Sequence, residues 1–118
     1  FYNRISYHTY DALSLDVKRQ GALLQRDLGP KNKAMILQNH GTVTCGATAE
    51  EALFYTLFLE EACKVQIQAL SVGVDNVLTV PGDMAEEAYQ NMTAFEKGHV
   101  GVRDFQALCR VINFPWET

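Results

Sequence analysis

The spacing of apolar and polar positions changes period along the chain, which predicts an α/β fold. Apolar residues recur at intervals of three and four from Ser14 to about Leu28, as on the inner face of an amphipathic helix. Two short apolar runs follow, at 34–38 and 42–45, and these predict strands. The helical period returns over 48–71. The order of elements therefore predicts a sheet packed on helices.

The N-terminal residues 1–12 predict a short strand and a turn. Ile5 and Tyr7 alternate with Ser6 and His8, so each pair is expected to face one side of the sheet.

A central strand is predicted for the run 34–38, because its residues are apolar without alternation, which is typical of a strand buried on both faces. The Asn39-His40-Gly41 triplet then separates it from the next strand. Asn39 and Gly41 both suit tight or positive-φ backbone, so a turn or bulge is expected between the two strands.

The helix boundaries carry capping signals. The first helix is expected to begin with Ser14 as N-cap and Asp16 in its first turn, and to end at Gly29-Pro30. Its inner face is expected to hold the positions spaced three or four apart, namely Leu13, Val17, Gly21, Leu24 and Leu28.

Two further helix starts have the spacing of a capping box. Thr48 and Glu51 open the helix over 48–71, and Asp83 and Glu86 repeat that spacing before a helix that runs to about Lys97. The Gly98-to-Gly101 segment breaks that helix, and a last short helix is expected over 101–112.

The first half of the helix at 48–71 is apolar on nearly all sides. A sheet can cover only one of those sides, so other helices or another subunit must cover the rest. We expect Phe54, Tyr55 or Phe58 to pack against another chain or against residues that precede Phe1.

Composition and charge exclude several classes of function. The 118 residues carry a net charge of −4, which argues against non-specific binding to nucleic acid or anionic membrane. The chain has no apolar run long enough to cross a bilayer, and its start does not resemble a signal peptide.

Three widely spaced cysteines do not form a disulfide framework, so a reducing, cytoplasmic location is expected. Because it begins at Phe1 without a Met, the chain is expected to be a processed product or a fragment.

The three histidines have different expected roles. His8 is expected to be a surface or hydrogen-bonded histidine of the first strand, and His99, between two glycines, a solvated loop residue. His40 lies at a backbone irregularity at the end of a buried strand, and ligands of open α/β sheets gather at strand ends. His40 is therefore the candidate functional histidine.

The other reactive side chains favour structural roles. The three cysteines are expected to be small apolar groups in or near the core, because none has a basic neighbour in sequence. The acidic pairs are expected on helix first turns or exposed helix faces; they are Glu50-Glu51, Glu60-Glu61 and Glu86-Glu87. Five basic residues within a short segment indicate a solvated surface or a site for an acidic partner; they are Lys18, Arg19, Arg26, Lys31 and Lys33. Gly41 and Gly46 lack the lysine and spacing of a phosphate-binding loop.

The segment around His40 resembles a known family. The run from Ile36 to Gly46, followed by Thr48-Ala49-Glu50-Glu51-Ala52, is similar to the second half of the class II aldolase/adducin fold family. The segments Ile5–Tyr10 and Leu28–Lys31 resemble its adducin-like branch in particular. The resemblance covers about residues 3–75 and weakens beyond them.

This resemblance implies a three-layer α/β/α domain with a central mixed, largely antiparallel sheet. Residues 1–118 would then be the C-terminal portion of one such domain, with the N-terminal half absent from this chain. Enzymes of the family hold zinc or another divalent ion through a His-x-His pair from the first half and a later histidine in an Asn-His-Gly context. That later histidine corresponds to His40, whereas His8 does not match the metal motif. The ion stabilises negative charge that develops during carbon–carbon cleavage.

Two hypotheses for function follow from the resemblance. The first is a divalent-metal-dependent carbon–carbon lyase, or a related sugar-phosphate enzyme, that acts on a small phosphorylated or hydroxylated carbonyl substrate. The second is a non-enzymatic, adducin-like module for protein association. Zinc is the expected metal of the intact protein, and no stoichiometric metal is expected on this chain alone, because a zinc site needs at least three protein ligands. The family also implies a homo-oligomer, a tetramer. The charge and the lack of a long apolar run predict that it binds no nucleic acid and does not insert into a membrane.

Overall fold

A computed structural model describes residues 1–9, 16–97 and 100–115. In chain order the elements are β1 (Ile5–His8), α1 (Val17–Leu28), β2 (Ala34–Leu37), β3 (Gly41–Thr44), α2 (Ala49–Leu70), a 3₁₀ turn (Val74–Asn76), α3 (Gly82–Phe95) and α4 (Val102–Val111). The predicted α/β class is therefore confirmed.

The three described strands form one mixed sheet in the order β1-β2-β3. The β1–β2 pairing is parallel and the β2–β3 pairing is antiparallel. Adjacent residues of a strand point to opposite faces, and both Ala34 and Met35 are almost completely buried, at 0% and 1% exposure. This confirms β2 as the central strand, covered on both sides.

Helices α1 and α2 lie on opposite faces of this sheet. His8 pairs with Leu37, and Thr44 pairs with Ala34. Leu37 and Ala34 are three positions apart in β2, so their side chains point to opposite faces of the sheet. Paired residues of neighbouring strands share a face, so His8 and Thr44 also lie on opposite faces. His8 contacts Asp27 of α1, whereas the Thr44 hydroxyl donates to a backbone carbonyl of α2 at 3.0 Å. The arrangement is the α/β/α layering that the family resemblance implied.

The buried face of β1 carries the polar residue His8, and its exposed face carries the larger aromatic residue Tyr7. His8 is 5% exposed, whereas Tyr7 is 63% exposed. The polar ring of His8 can be buried because Asp27 provides a hydrogen-bonding partner on α1.

Helix α1 begins later than predicted. Asp16 is its N-cap, and its side chain accepts hydrogen bonds from two backbone N–H groups of the first turn. The prediction that Asp16 lies within the first turn is therefore wrong. Val17, predicted on the inner face, is 82% exposed, while Leu24 and Leu28 are half-buried as expected. The predicted positions Leu13, Ser14, Gly98 and His99, together with Tyr10, lie outside the described residues.

Helix α2 begins as its capping signal predicts. Thr48 Oγ1 accepts from the Glu51 N–H at 3.2 Å, and Glu51 Oε2 accepts from the Ala47 N–H at 2.6 Å. Phe54 and Tyr55, in its first half, form the main aromatic core with Val100. These two aromatic residues are thus buried within the chain itself, whereas Phe58 is 54% exposed.

The start of α3 corrects a second capping prediction. Pro81 occupies the N-cap position, and no side chain caps the helix there. Asp83 is inside the first turn, so its predicted role as N-cap is wrong; proline suits this position because it has no N–H that needs a partner. The helix ends at Phe95 and not at Lys97.

Candidate functional site

His40 lies in the hairpin turn between β2 and β3. Leu37 pairs with Gly41, so Gln38, Asn39 and His40 form a three-residue loop. Asn39 has a φ of 57°, as its residue type predicts, whereas Gly41 is an ordinary strand residue without a positive φ. The His40 N–H donates to the Leu37 carbonyl at 3.0 Å. The turn therefore fixes the backbone of His40 and leaves its side chain exposed.

His8 is at the same end of the sheet as this turn. β1 and β2 are parallel, so their carboxyl ends coincide, and the His8 carbonyl accepts from the Gln38 N–H at 3.0 Å. The ring of His8 is buried and its Nδ1 is 2.7 Å from Asp27 Oδ2. His8 is thus a hydrogen-bonded strand histidine, which is one of its two expected roles.

Asp27 is the acidic partner of two side chains. Its Oδ1 accepts from Arg26 Nε at 2.7 Å, and its Oδ2 is bonded to His8. The hydrogen bond from Arg26, followed by that from His8, lowers the pKa of Asp27 to about 2. The carboxylate therefore stays ionised and anchors β1 to α1.

The described residues do not form a complete metal site. Across residues 1–9, 16–97 and 100–115, three or more His, Cys, Asp or Glu side chains never converge in an arrangement that could hold a metal ion. A zinc site needs three or four protein ligands, and His40 supplies one exposed imidazole. His40 fits the role of a single ligand, and we derive no catalytic step through a metal from these residues.

A second polar cluster is formed by residues that are far apart in the chain. Arg4 donates to Glu96 Oε1 at 2.7 Å and to the Tyr55 hydroxyl at 3.1 Å. All three side chains are buried or nearly so, and burial, together with Glu96, raises the pKa of the Tyr55 phenol. Lys33 Nζ lies 5.6 Å from the centroid of the Tyr55 ring. The sequence has no local signal for this cluster, because its members meet only through tertiary packing.

Arg4, Tyr55 and Glu96 also line an apolar pocket of about 240 Å³. Its lining is largely aromatic and aliphatic and consists of Phe1, Arg4, Phe54, Tyr55, Phe58, Ala62, Met92 and Glu96. The guanidinium of Arg4 is already engaged by Glu96 and Tyr55. The pocket is therefore better suited to an apolar group than to an anion.

Two of the clustered basic residues are engaged in ion pairs within the chain. Lys33 pairs with Glu51 at 3.0 Å and Arg26 pairs with Asp27, so two of the five clustered basic residues are already neutralised. The three cysteines are free thiols, with Cys109 buried and the other two half-buried. None of the helices in the described segments has the length and apolarity to cross a membrane.

Comparison with known proteins decides the family. The sequence profile described as the class II aldolase and adducin N-terminal domain matches residues 1–67. The chain belongs to the class II aldolase/adducin family. A Caulobacter vibrioides protein described as belonging to aldolase class 2 is 38% identical over 98 residues, and alpha-adducin of Rattus norvegicus is 34% identical over 119 residues.

The family fold extends beyond the profile match. An aldolase II superfamily protein from Pseudomonas syringae, known from its crystal structure, superposes with a TM-score of 0.80 at 34% identity and covers 93% of this chain. The chain spans less than half of each of these relatives: 37% of the Caulobacter protein, 16% of alpha-adducin and 43% of the Pseudomonas chain. The predicted family and fold are thus confirmed.

Proposed function

We propose that this family member supplies His40 as one ligand of a divalent-metal site in an aldolase-type carbon–carbon lyase. The observation that carries the proposal is the position of the His40 imidazole, which is exposed on a hairpin turn at the carboxyl end of the parallel β1–β2 pair. Ligands of α/β sheets collect at this end of the strands. Asn39, with its positive φ, holds the turn that presents the imidazole.

The remaining ligands belong, in this proposal, to the N-terminal half of the domain in the intact protein, which this chain does not include. The 37% and 43% coverage of the aldolase relatives supports this, because those proteins have room for a second group of ligands. The expected ion is zinc, and the expected substrate is a small phosphorylated or hydroxylated carbonyl compound. A neutral imidazole is a common ligand of zinc and of related divalent ions.

The test is metal analysis of the intact protein that contains this chain. We expect about one divalent ion per chain in the wild type and a loss of most of it on His40→Ala, because an open three-ligand zinc site does not survive the loss of a ligand. Gln38→Ala is the matched control, since Gln38 is exposed in the same turn. The fold, followed by circular dichroism, should be unchanged in both variants. The 118-residue chain alone is expected to bind less than one equivalent.

Unchanged metal content in His40→Ala would remove His40 from the site. A wild-type protein without bound metal, even after incubation with zinc, would favour the second candidate, a module for protein association. That candidate is supported by the 34% identity to alpha-adducin and by the exposed apolar side chains of α2.

A further inference from the structure

His8 connects helix α1 to the turn that carries His40. Its ring Nδ1 lies 2.7 Å from Asp27 Oδ2 on α1, and its backbone carbonyl accepts a hydrogen bond from the Gln38 N–H at 3.0 Å. Gln38 is the first residue of the three-residue loop between β2 and β3. One strand residue therefore joins α1, through its side chain, to the loop, through its backbone.

The bond between Gln38 and His8 continues the parallel β1–β2 pairing beyond its last paired residues, His8 and Leu37. A hydrogen bond at the end of such a pairing opens more easily than one within it, because neighbouring bonds support it on one side only. Among the described strands, β1 pairs with β2 alone. The position of its last residue therefore depends on contacts outside the sheet.

Asp27 provides such a contact. A carboxylate accepts but does not donate, so Nδ1 of His8 carries the proton of this bond, and a hydrogen bond to an ionised acceptor is stronger than one between neutral groups. The other Asp27 oxygen accepts from Arg26 Nε at 2.7 Å, which fixes the direction of the carboxylate. The side chains of His8 and Asp27 are 7% and 18% exposed, so little water competes for the bond.

The turn itself is held from two directions. The His40 N–H donates to the Leu37 carbonyl, which closes the turn on its own hairpin and sets its shape. The bond from Gln38 to His8 ties the same turn laterally to β1 and sets its position relative to α1. A metal ligand needs both, because its donor atom must lie within about 0.2 Å of the ideal distance from the ion.

We propose that His8 and Asp27 are positioning residues for His40: their hydrogen bond holds the end of β1, and the His8 carbonyl holds the turn from which the His40 imidazole reaches the metal. The part of this proposal that concerns the metal rests on the proposed function of His40. Both residues act through the turn, and neither is assigned to the metal.

Residue-resolved amide hydrogen exchange of the metal-free intact protein tests whether the pair holds the turn. His8→Phe keeps a buried ring but removes the donor, and Asp27→Ala removes the acceptor. Each should speed the exchange of the Gln38 and His40 N–H groups about tenfold. The Cys45 N–H is the internal reference, because it is hydrogen-bonded at the other end of the same hairpin. Its exchange should not change, whereas a general loss of stability would speed all three.

The zinc affinity of the intact protein, measured by competition with a chelator, tests the consequence for the metal. His8→Phe and Asp27→Ala should each raise the Kd about tenfold, and the double variant should be no weaker than either, since all three break one bond. Glu96→Gln is the control, because it breaks a buried ion pair with Arg4, which precedes the opposite end of β1. It should leave the zinc affinity unchanged.

Wild-type exchange of Gln38 and His40 in both variants would overturn the proposal, as would an equal loss of zinc affinity in Glu96→Gln. If His40→Ala loses zinc while both variants keep the wild-type affinity, the positioning role is wrong and the proposed function stands. If His40→Ala retains its zinc, the proposed function fails, and the exchange rates decide whether His8 and Asp27 hold the turn. Circular dichroism verifies folding; if one of the two variants does not fold, the other provides the test.

Discussion

Arg4 and Glu96 are 92 positions apart in the chain, and their side chains form a 2.7 Å ion pair in which each is only 9% exposed. Arg4 directly precedes β1, and Glu96 follows the last residue of α3. Arg4 also reaches the Tyr55 hydroxyl on α2. This pair therefore joins the C-terminal part of the chain to the sheet and its long helix.

Breaking this pair should destabilise the chain. Glu96→Gln leaves the Arg4 guanidinium buried without a counter-charge, and we expect the free energy of unfolding to fall by about 3 kcal/mol. The matched control is Glu60→Gln, because Glu60 pairs with Lys64 at 3.5 Å with both side chains more than half exposed. Its effect should stay below about 0.5 kcal/mol. Urea unfolding of the three proteins measures both values, and equal effects would mean that the Arg4–Glu96 pair is solvated.

A glycine fixes the junction between α2 and α4. Gly101 has a φ of 81°, and a Cβ there would overlap the carbonyl oxygen of Glu50. Gly101→Ala should therefore lower stability by about 2 to 4 kcal/mol, through backbone strain and a displaced helix. Gly21→Ala is the opposite case, because Gly21 lies within α1 and a Cβ added there would meet no other atom within 4 Å. It should raise stability by about 0.5 to 1 kcal/mol. Thermal unfolding should show a lower melting temperature for Gly101→Ala and a higher one for Gly21→Ala than for the wild type. An unchanged melting temperature in Gly101→Ala would contradict the packing of α4 on α2.

Local signals in the sequence were sufficient for the central part of the fold. The unbroken apolar run at 34–37 identifies a strand covered on both faces, and Thr48 with Glu51 identifies the start of α2. Both features depend on residues within a few positions of one another. The same is true of Asn39, whose side chain tolerates the positive φ that the hairpin turn needs.

Features that depend on distant partners could not be predicted in this way. The burial of His8 requires Asp27 on another element, so alternation within β1 could not show which of its two faces is buried. The Arg4–Glu96 pair cannot be predicted from the spacing of nearby residues, because its two members are 92 positions apart in the chain. The capping prediction at Asp83 is wrong because Pro81 already takes the N-cap position. In the candidate site, the motif around His40 predicts a metal ligand there, and the described residues do not bring further ligands to it.

Acid should weaken the contact between β1 and α1. The pKa of Asp27 is lowered from its usual 3.8 to about 2, first by Arg26 and then by His8. A carboxyl group with a lowered pKa stabilises the fold fully above its unfolded pKa. This contribution is lost as the pH falls from about 4 to about 2. Asp27→Asn should therefore flatten the pH dependence of stability in that range, and Arg26→Gln should flatten it in part. Urea unfolding at several pH values provides the measurement. If the Asp27→Asn profile matches the wild type, Asp27 does not anchor β1.

The turn that presents His40 should depend on the residue at position 39. Asn39 has a φ of 57°, a conformation that asparagine and glycine adopt with little strain and that a β-branched residue resists. Asn39→Val should lower the free energy of unfolding by about 1 to 2 kcal/mol, whereas Asn39→Gly should leave it nearly unchanged. The comparison isolates backbone strain, because both substitutions remove the same amide. Urea unfolding measures the stability, and the amide exchange rate of His40, whose N–H is bonded to the Leu37 carbonyl, measures the turn itself. Faster exchange in Asn39→Val alone is the expected result. Equal exchange and equal stability in the two variants would show that the turn does not need the positive φ, and that another part of the hairpin positions His40.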